Sequence, residues 1–264
     1  MLRFVPLLLT LAACSSPDAV ELHGSTMGTT WTVTLGGPLD EAHVAQAESI
    51  IAEILAEVDA ALSGWNAASE ISAINRSAET SWIALSEALY TVLDAGTAVQ
   101  EATGGAFDVT VAPLVALWGF GADSTMTGSP SSAQIAAARS LVGPHMIELR
   151  AEPRRLRKRL AGVRLDVDAI APGYAVDRIS DELLAIGYEN HIVEIGGKCA
   201  ARAGARLAGP GGLQSSARRR VPGRFRRWCR LMVSEFRPRA TTGIFACSRA
   251  GGFHTRSIRG AVTR

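Results

Sequence analysis

The chain has 264 residues, of which 47% are hydrophobic and 20% charged, with 26 Gly and 11 Pro. This composition suits a globular protein of one or two domains, and no run approaches the roughly 20 apolar residues of a bilayer-spanning helix, so collagen-like, disordered and polytopic classes are excluded. The formal net charge of +2 is a cancellation: residues 1–197 carry 11 Lys and Arg against 24 Asp and Glu, and residues 198–264 carry 16 against 1. Such asymmetry ordinarily marks an acidic body with a basic arm for nucleic acid or membrane.

Residues 1–13 hold one cation, Arg3, then an apolar stretch through Phe4, Val5, Leu7, Leu8, Leu9 and Leu11, and end in Leu11-Ala12-Ala13-Cys14. This reads as a short secretory signal whose ending resembles a bacterial lipobox. Cys14 is then expected to become the first mature residue and to carry the lipid, with residues 14–23 as a tether. A membrane-anchored lipoprotein of the bacterial periplasm follows, since acyl chains anchor without spanning. A buried N-terminal helix fits poorly, because nothing amphipathic is present. Between Cys14 and Cys199 there is no cysteine, which excludes a disulfide framework there. Cys199, Cys229 and Cys247 have the spacing of neither a zinc ribbon nor a redox pair.

Residues 29–35 alternate like a half-buried strand that Gly36-Gly37-Pro38 terminates. From Glu41 to Leu62, Val44, Ala47, Ile51, Ile54, Leu55, Val58 and Leu62 recur at helical steps with Glu48, Glu53 and Glu57 between them, predicting an amphipathic helix with an acidic outer face. A second helix is predicted from the N-cap Ser86 to Gly104-Gly105, and a third over residues 132–142, stopping at Gly143-Pro144. Residues 146–150 and 163–167 read as paired strands around a charged loop, with the basic run 154–159 as a solvated hairpin end. Nucleic-acid binding through that run is not expected, because no aromatic residues interleave for base stacking. Pro172 sits where a helix begins, Gly187 caps that helix, and residues 191–195 form another strand. Strands and helices without a strict βαβ rhythm favour α+β, with a mixed sheet and flanking helices.

Three segments exceed what packing demands. The first is residues 24–31, Gly-Ser-Thr-Met-Gly-Thr-Thr-Trp, where glycines frame hydroxyls and Met27 ahead of a strand. The second, residues 104–121, combines Gly104, Gly105, Phe107, Asp108, Trp118 and Phe120; it reads equally as a helix C-cap followed by an apolar core segment. The third, residues 165–177, carries Asp166 and Asp168 at a strand end entering a helix N-terminus. Unpaired N–H groups there favour phosphate, and carboxylates with freed carbonyls are the hard oxygen donors that magnesium prefers. The same carboxylates also read as ordinary helix N-terminal electrostatics.

In this order behind a lipobox, the segments resemble the ApbE-type FAD:protein FMN transferase family over about residues 20–197. The resemblance rests on Thr-Met-Gly-Thr, on Ser-Gly-Trp-Asn around Trp65 with Ser69-Glu70-Ile71-Ser72 after it, on Gly-Gly-x-Phe-Asp-x-Thr running to Leu-Trp-Gly-Phe-Gly, and on Asp-x-x-Ala-Ile-Ala-x-Gly-Tyr-Ala-Val-Asp, whose first residue here would be Asp166. It implies a transferase domain over residues 24–197 that binds FAD, uses Mg2+ at the diphosphate, moves FMN onto a Thr or Ser hydroxyl of an acceptor protein and releases AMP. The implied acceptors are subunits of sodium-pumping NADH:quinone reductases and related Rnf-type electron-transfer complexes. Carried over, FAD contacts fall on Met27, Trp65, Ala106, Phe107, Asp108, Asp166 and the position of Pro172, with Ala169 giving its carbonyl to the metal. Pro172 departs from the Lys or Glu usual in the family; its fixed φ suits a helix start but supplies no polar contact.

After Gly197 the family pattern stops. The resemblance implies a following Trp-Arg-Val strand and a final His-x-Ile-Asp-Pro motif with further metal ligands and a His, none of which the chain shows, so no catalytic residue is assigned. Codons for residues 207–213, read one nucleotide later, can spell Trp-Arg-Val-Arg-Val-Gly-Phe, and codons for residues 253–260, read from third positions, can spell Pro-His-Ala-Ile-Asp-Pro-Arg. The expectation is a frameshifted, poorly ordered Arg-rich tail over residues 198–264. Two alternatives stand beside it: an inactive FAD-binding periplasmic lipoprotein, and a flavin-binding body with a basic tail for nucleic acid or anionic lipid.

Overall fold

Seven strands and six α-helices occur among residues 19–122 and 128–202, which the computed structural model describes. The signal segment, Cys14, the tether up to residue 18 and residues 203–264 of the basic stretch lie outside the described residues.

The first sheet begins with a hairpin that residue pattern alone did not reveal. Strand β1 (Ala19–Thr26) pairs with β2 (Thr29–Gly36), Thr26 opposite Thr29. Met27 and Gly28 form the two-residue turn, with φ of 48° and 69°. Positive φ at both positions matches the turn twist to that of the strands. The expected tether over 14–23 therefore overlaps a strand, in which Val20 and Leu22 are more buried than Ala19 and Glu21. Strand β2 also pairs antiparallel with the strand His191–Ile195, which in turn pairs with Lys198–Arg202 across a Gly196-Gly197 turn. The expected domain edge at residue 197 is thus a hairpin turn within the sheet.

The second sheet holds β3 (Ile83–Ala84), β4 (Ile147–Arg150) and β5 (Arg155–Lys158), with β5 in the centre. With β6 (His191–Ile195) and β7 (Lys198–Arg202), every pairing in both sheets is antiparallel. The mixed sheet expected from the sequence is corrected to two antiparallel ones: short turns close the β1–β2, β4–β5 and β6–β7 hairpins, and long connections bring β6 beside β2 and β5 beside β3, again antiparallel. The partner of β4 is also corrected: it is the basic run itself, not residues 163–167. Along β5, Leu156 and Lys158 are buried while Arg155 and Arg157 are half-exposed, a period-2 pattern that the density of cations concealed. Arg157 pairs with Glu148 at 2.6 Å and, with Arg150, lies over the ring of Trp82.

The helices follow the sequence reading closely. Helix α1 (Glu41–Leu62) has the expected bounds and starts where Asp40 accepts from the His43 backbone. It is followed by α2 (Glu70–Arg76), capped by Ser69, and α3 (Glu87–Ala102), whose Ser86 side chain accepts from Leu89 N as an N-cap should. Helices α4 (Ala112–Leu117) and α5 (Ser132–Arg139) come next; α5 opens on a Ser131–Gln134 capping box and ends short of the expected residue 142. Helix α6 (Ala171–Ala185) has Pro172 in its first turn, where no N–H is needed. Helices α1 and α6 pack together, and Val33, Leu35, Val193 and Ile195 of the first sheet join them in the core. The architecture is α+β, as expected.

Candidate functional site

The site is made of loops that the helices and sheets hold in register. Within α3, an added Cβ at Gly96 would lie 2.4 Å from Val109 Cγ1, so a side chain there would exclude the segment that carries Asp108. Val109 O then accepts from Asp166 N at 2.8 Å, joining the second motif to the third. From the other side, Asn75 at the end of α2 clasps Leu165: its Nδ2 donates to Leu165 O at 2.9 Å, and Leu165 N donates to its Oδ1 at 2.7 Å. A side-chain amide thus supplies the two hydrogen bonds that a neighbouring strand would make. Helix α2 is itself secured by the fully buried Lys158, whose Nζ donates to Ile74 O at 2.9 Å and to Ser77 O. Those carbonyls belong to the helix end, where backbone donors run out and Ile74 O otherwise accepts from Ser77 N at 3.2 Å.

A cavity of about 560 Å³ opens at this junction, lined by Ala106, Phe107, Asp108, Asp166 and Ala169 among others. Five of the eight expected positions are therefore brought together. Asp108 Oδ1 accepts from Thr110 N at 2.8 Å and Thr110 Oγ1 at 2.6 Å, while Asp166 Oδ1 accepts from Asp168 N at 3.0 Å. Each carboxylate uses one oxygen to hold its turn. The other oxygen of each makes no hydrogen bond among the described residues, which equips the pair to accept from ligand hydroxyl or amino groups. Thr110 Oγ1 also accepts from Gly143 N at 2.9 Å, so a buried hydroxyl ties Asp108 to the opposite wall, where Val142 and Gly143 line the cavity.

A smaller cavity, about 60 Å³, shares Asp166 and is lined also by Trp65, Phe120 and Asp168. Trp65 is 67% exposed and Phe120 68%, unusual for large apolar groups and apt for covering a planar ring. Partial removal from water raises Asp168 above its ordinary carboxyl value, the charge of Asp166 adds to the rise, and a hydrogen bond with the Trp65 side chain opposes it. Met27 and Pro172 line neither cavity: Met27 is half-buried in the hairpin turn, and Pro172 is buried in the first turn of α6. Pro172 packs in the helix start, as its fixed φ suits.

Arg139 and Gly143 on the wall of the larger cavity, Asn75 on that of the smaller one, and Thr110 behind them have no site role in the sequence reading. Thr110 lay inside a quoted motif without a role, and Asn75 follows the Ser69-Glu70-Ile71-Ser72 signature by one helical turn. Among the described residues, no group of three or more His, Cys, Asp or Glu converges on a metal position. Asp108, Asp166 and Ala169, whose carbonyl the resemblance assigns to the metal, share the wall of the larger cavity.

The chain is similar to known proteins in sequence and in fold. Residues 27–210 match the model of the ApbE family. The FAD:protein FMN transferase of Vibrio cholerae is 35% identical over 195 residues, 72% of this chain and 57% of that protein, and the one from Haemophilus influenzae is 34% identical over 206 residues, 75% and 59%. The chain therefore spans less than two thirds of the length of these curated relatives. Among solved structures, flavin transferase ApbE from Vibrio cholerae superposes with a TM-score of 0.67 at 32% identity, covering 71% of this chain and 60% of that one. The apo flavinyl transferase ApbE of Pseudomonas stutzeri gives 0.66 at 32%, covering 72% and 62%.

Proposed function

Since the chain belongs to the ApbE family, we propose that its activity is that of its curated relatives, the transfer of FMN from FAD to a protein. The observation that carries this reading is the coincidence of the family match with a cavity walled by Asp108 and Asp166, each with one oxygen committed to its own turn. In this reaction an acceptor Thr or Ser oxygen forms a new bond to the FMN phosphorus, the bond from that phosphorus to the bridging oxygen breaks, AMP leaves with that oxygen, and the hydroxyl proton passes to solvent. The described residues bind and orient: the carboxylates take polar edges of the dinucleotide, and Trp65 with Phe120 offers apolar surface to a ring. Positioning of two reactants is a large part of such catalysis. Magnesium dependence comes from the resemblance alone.

The proposal extends to place and partner. A lipid on Cys14 would hold the enzyme at the periplasmic face of a bacterial membrane, beside acceptor subunits of the NADH:quinone reductase or Rnf type. Loss of acyl labelling and release from membranes in Cys14→Ala would support the anchor; unchanged labelling would remove it.

We further propose that the Arg-rich stretch is an out-of-frame reading of the family's last segment, which supports an active transferase as the natural protein. Sequencing independent clones across codons 190–264 tests this. Restored frames encoding His-x-Ile-Asp-Pro would support it, whereas confirmation of the present frame would leave the inactive flavin-binding lipoprotein as the better reading. The activity itself is tested by incubating the protein with FAD and an acceptor subunit and reading covalent flavin fluorescence on a denaturing gel. FAD binding without transfer would again favour the binding protein.

A further inference from the structure

The larger cavity contains a charged side chain that neither the fold nor the expected site employs. Arg139, in the last turn of α5, lines it together with Asp108 and Asp166. It is the one cation among the described residues of that lining. It is exposed, and its guanidinium has no ion-pair or hydrogen-bond partner among the described residues. A helix C-terminus favours a cation, which accounts for the residue type at that position. It does not account for a cation on the wall of a cavity that already holds two carboxylates.

Charge makes the consequence specific. A dinucleotide diphosphate carries about two negative charges into a space bordered by Asp108 and Asp166. Like charges 4 Å apart repel by about 1 kcal/mol in water and about 4 kcal/mol near a protein surface, so phosphate needs a countercharge to enter. The guanidinium is suited to that task, because its planar fork meets two phosphate oxygens at once. We propose that Arg139 is the phosphate-binding side chain of this cavity, gripping the diphosphate of the ligand and drawing it toward α5. The carboxylates then face the hydroxyl-bearing or amino-bearing parts. This rests on the flavin dinucleotide reading above and deepens it by separating the ligand's anionic portion from its ring.

The test measures binding of FAD and riboflavin to the full chain and to Arg139→Gln and Arg139→Lys by flavin fluorescence, with ADP and adenosine as a second pair by calorimetry. Arg139→Gln is expected to weaken FAD and ADP by about 10- to 100-fold, to leave riboflavin and adenosine unchanged, and to flatten the salt dependence of FAD binding. Arg139→Lys should recover part of the loss. Equal weakening of the phosphate-bearing and phosphate-free ligands, or no weakening of FAD, would overturn the assignment while leaving the flavin reading intact. Wild-type protein that binds no flavin at all would instead defeat that reading, and the role of Arg139 with it.

Discussion

One buried hydroxyl connects two walls of the larger cavity. Thr110 Oγ1 donates to Asp108 and accepts from Gly143 N, so Thr110→Val keeps the shape and removes both bonds. Leaving the Gly143 N–H unpaired in a buried place costs about 1–3 kcal/mol. The variant should melt earlier and bind FAD more weakly, as read by differential scanning and fluorescence titration. Asp168 offers a test of opposite sign. Its folded carboxyl sits above the ordinary value of 3.8, chiefly through removal from water and then through Asp166. For an acid raised in the fold, stability is lost as pH rises through the folded value. Asp168→Asn should therefore have a higher Tm than wild type at pH 7, and the difference should vanish below the ordinary value. An equal shift at all pH values would contradict this cause.

At the scale of elements, close packing positions the chemistry. Gly96→Ala replaces a poor helix former with the best one, a gain of about 1 kcal/mol in an open helix. Here its Cβ would press on Val109, and overpacking costs about 1–3 kcal/mol, so a net loss of stability is expected in a denaturant melt. FAD affinity should fall too, because Val109 O anchors the Asp166 backbone. Lys158 secures the end of α2, and burial lowers its Nζ from the ordinary lysine value. For a base lowered in the fold, stability rises with pH across the window between the folded and unfolded values. Wild type should gain stability from neutral pH toward 10.5, and Lys158→Met should lack that gain while losing about 1–3 kcal/mol at pH 7. Chemical melts at several pH values would show both. Asn75 depends on this arrangement, since the helix that Lys158 caps is the one that presents the amide to Leu165.

For the whole molecule, the two antiparallel sheets and the α1–α6 pair form a frame around loops from three distant parts of the chain. A ligand bound only by the assembled loops stabilises the assembly. FAD at 100 times its Kd should raise the unfolding free energy by about 2.7 kcal/mol, visible as a higher Tm, while the same concentration should leave a Thr110→Val protein with a smaller rise. Absence of any shift would mean that the cavity does not take the dinucleotide.

Local patterns made much of this legible. Helix α1 keeps its expected bounds because 22 residues of apolar periodicity outweigh context, and Ser86 and Gly187 act through backbone groups of their own neighbours. Asp108 and Asp166 stand out through the family resemblance, since by residue chemistry alone their segments read equally as a capped helix with core and as helix N-terminal electrostatics. The pairing of β4 with a strand of alternating Arg and apolar residues was hidden, because charge counts do not register which face each side chain takes. Asn75 and Arg139 were silent for another reason: their meaning is a contact across 90 residues in one case and a shared cavity in the other. Sequence determined the long helices, three of the strands and the family resemblance with its motif carboxylates, since these follow from short-range periodicity and local motifs. The tertiary structure alone decided which oxygens are committed and which cation shares their cavity, because those depend on distances between segments that only packing brings together.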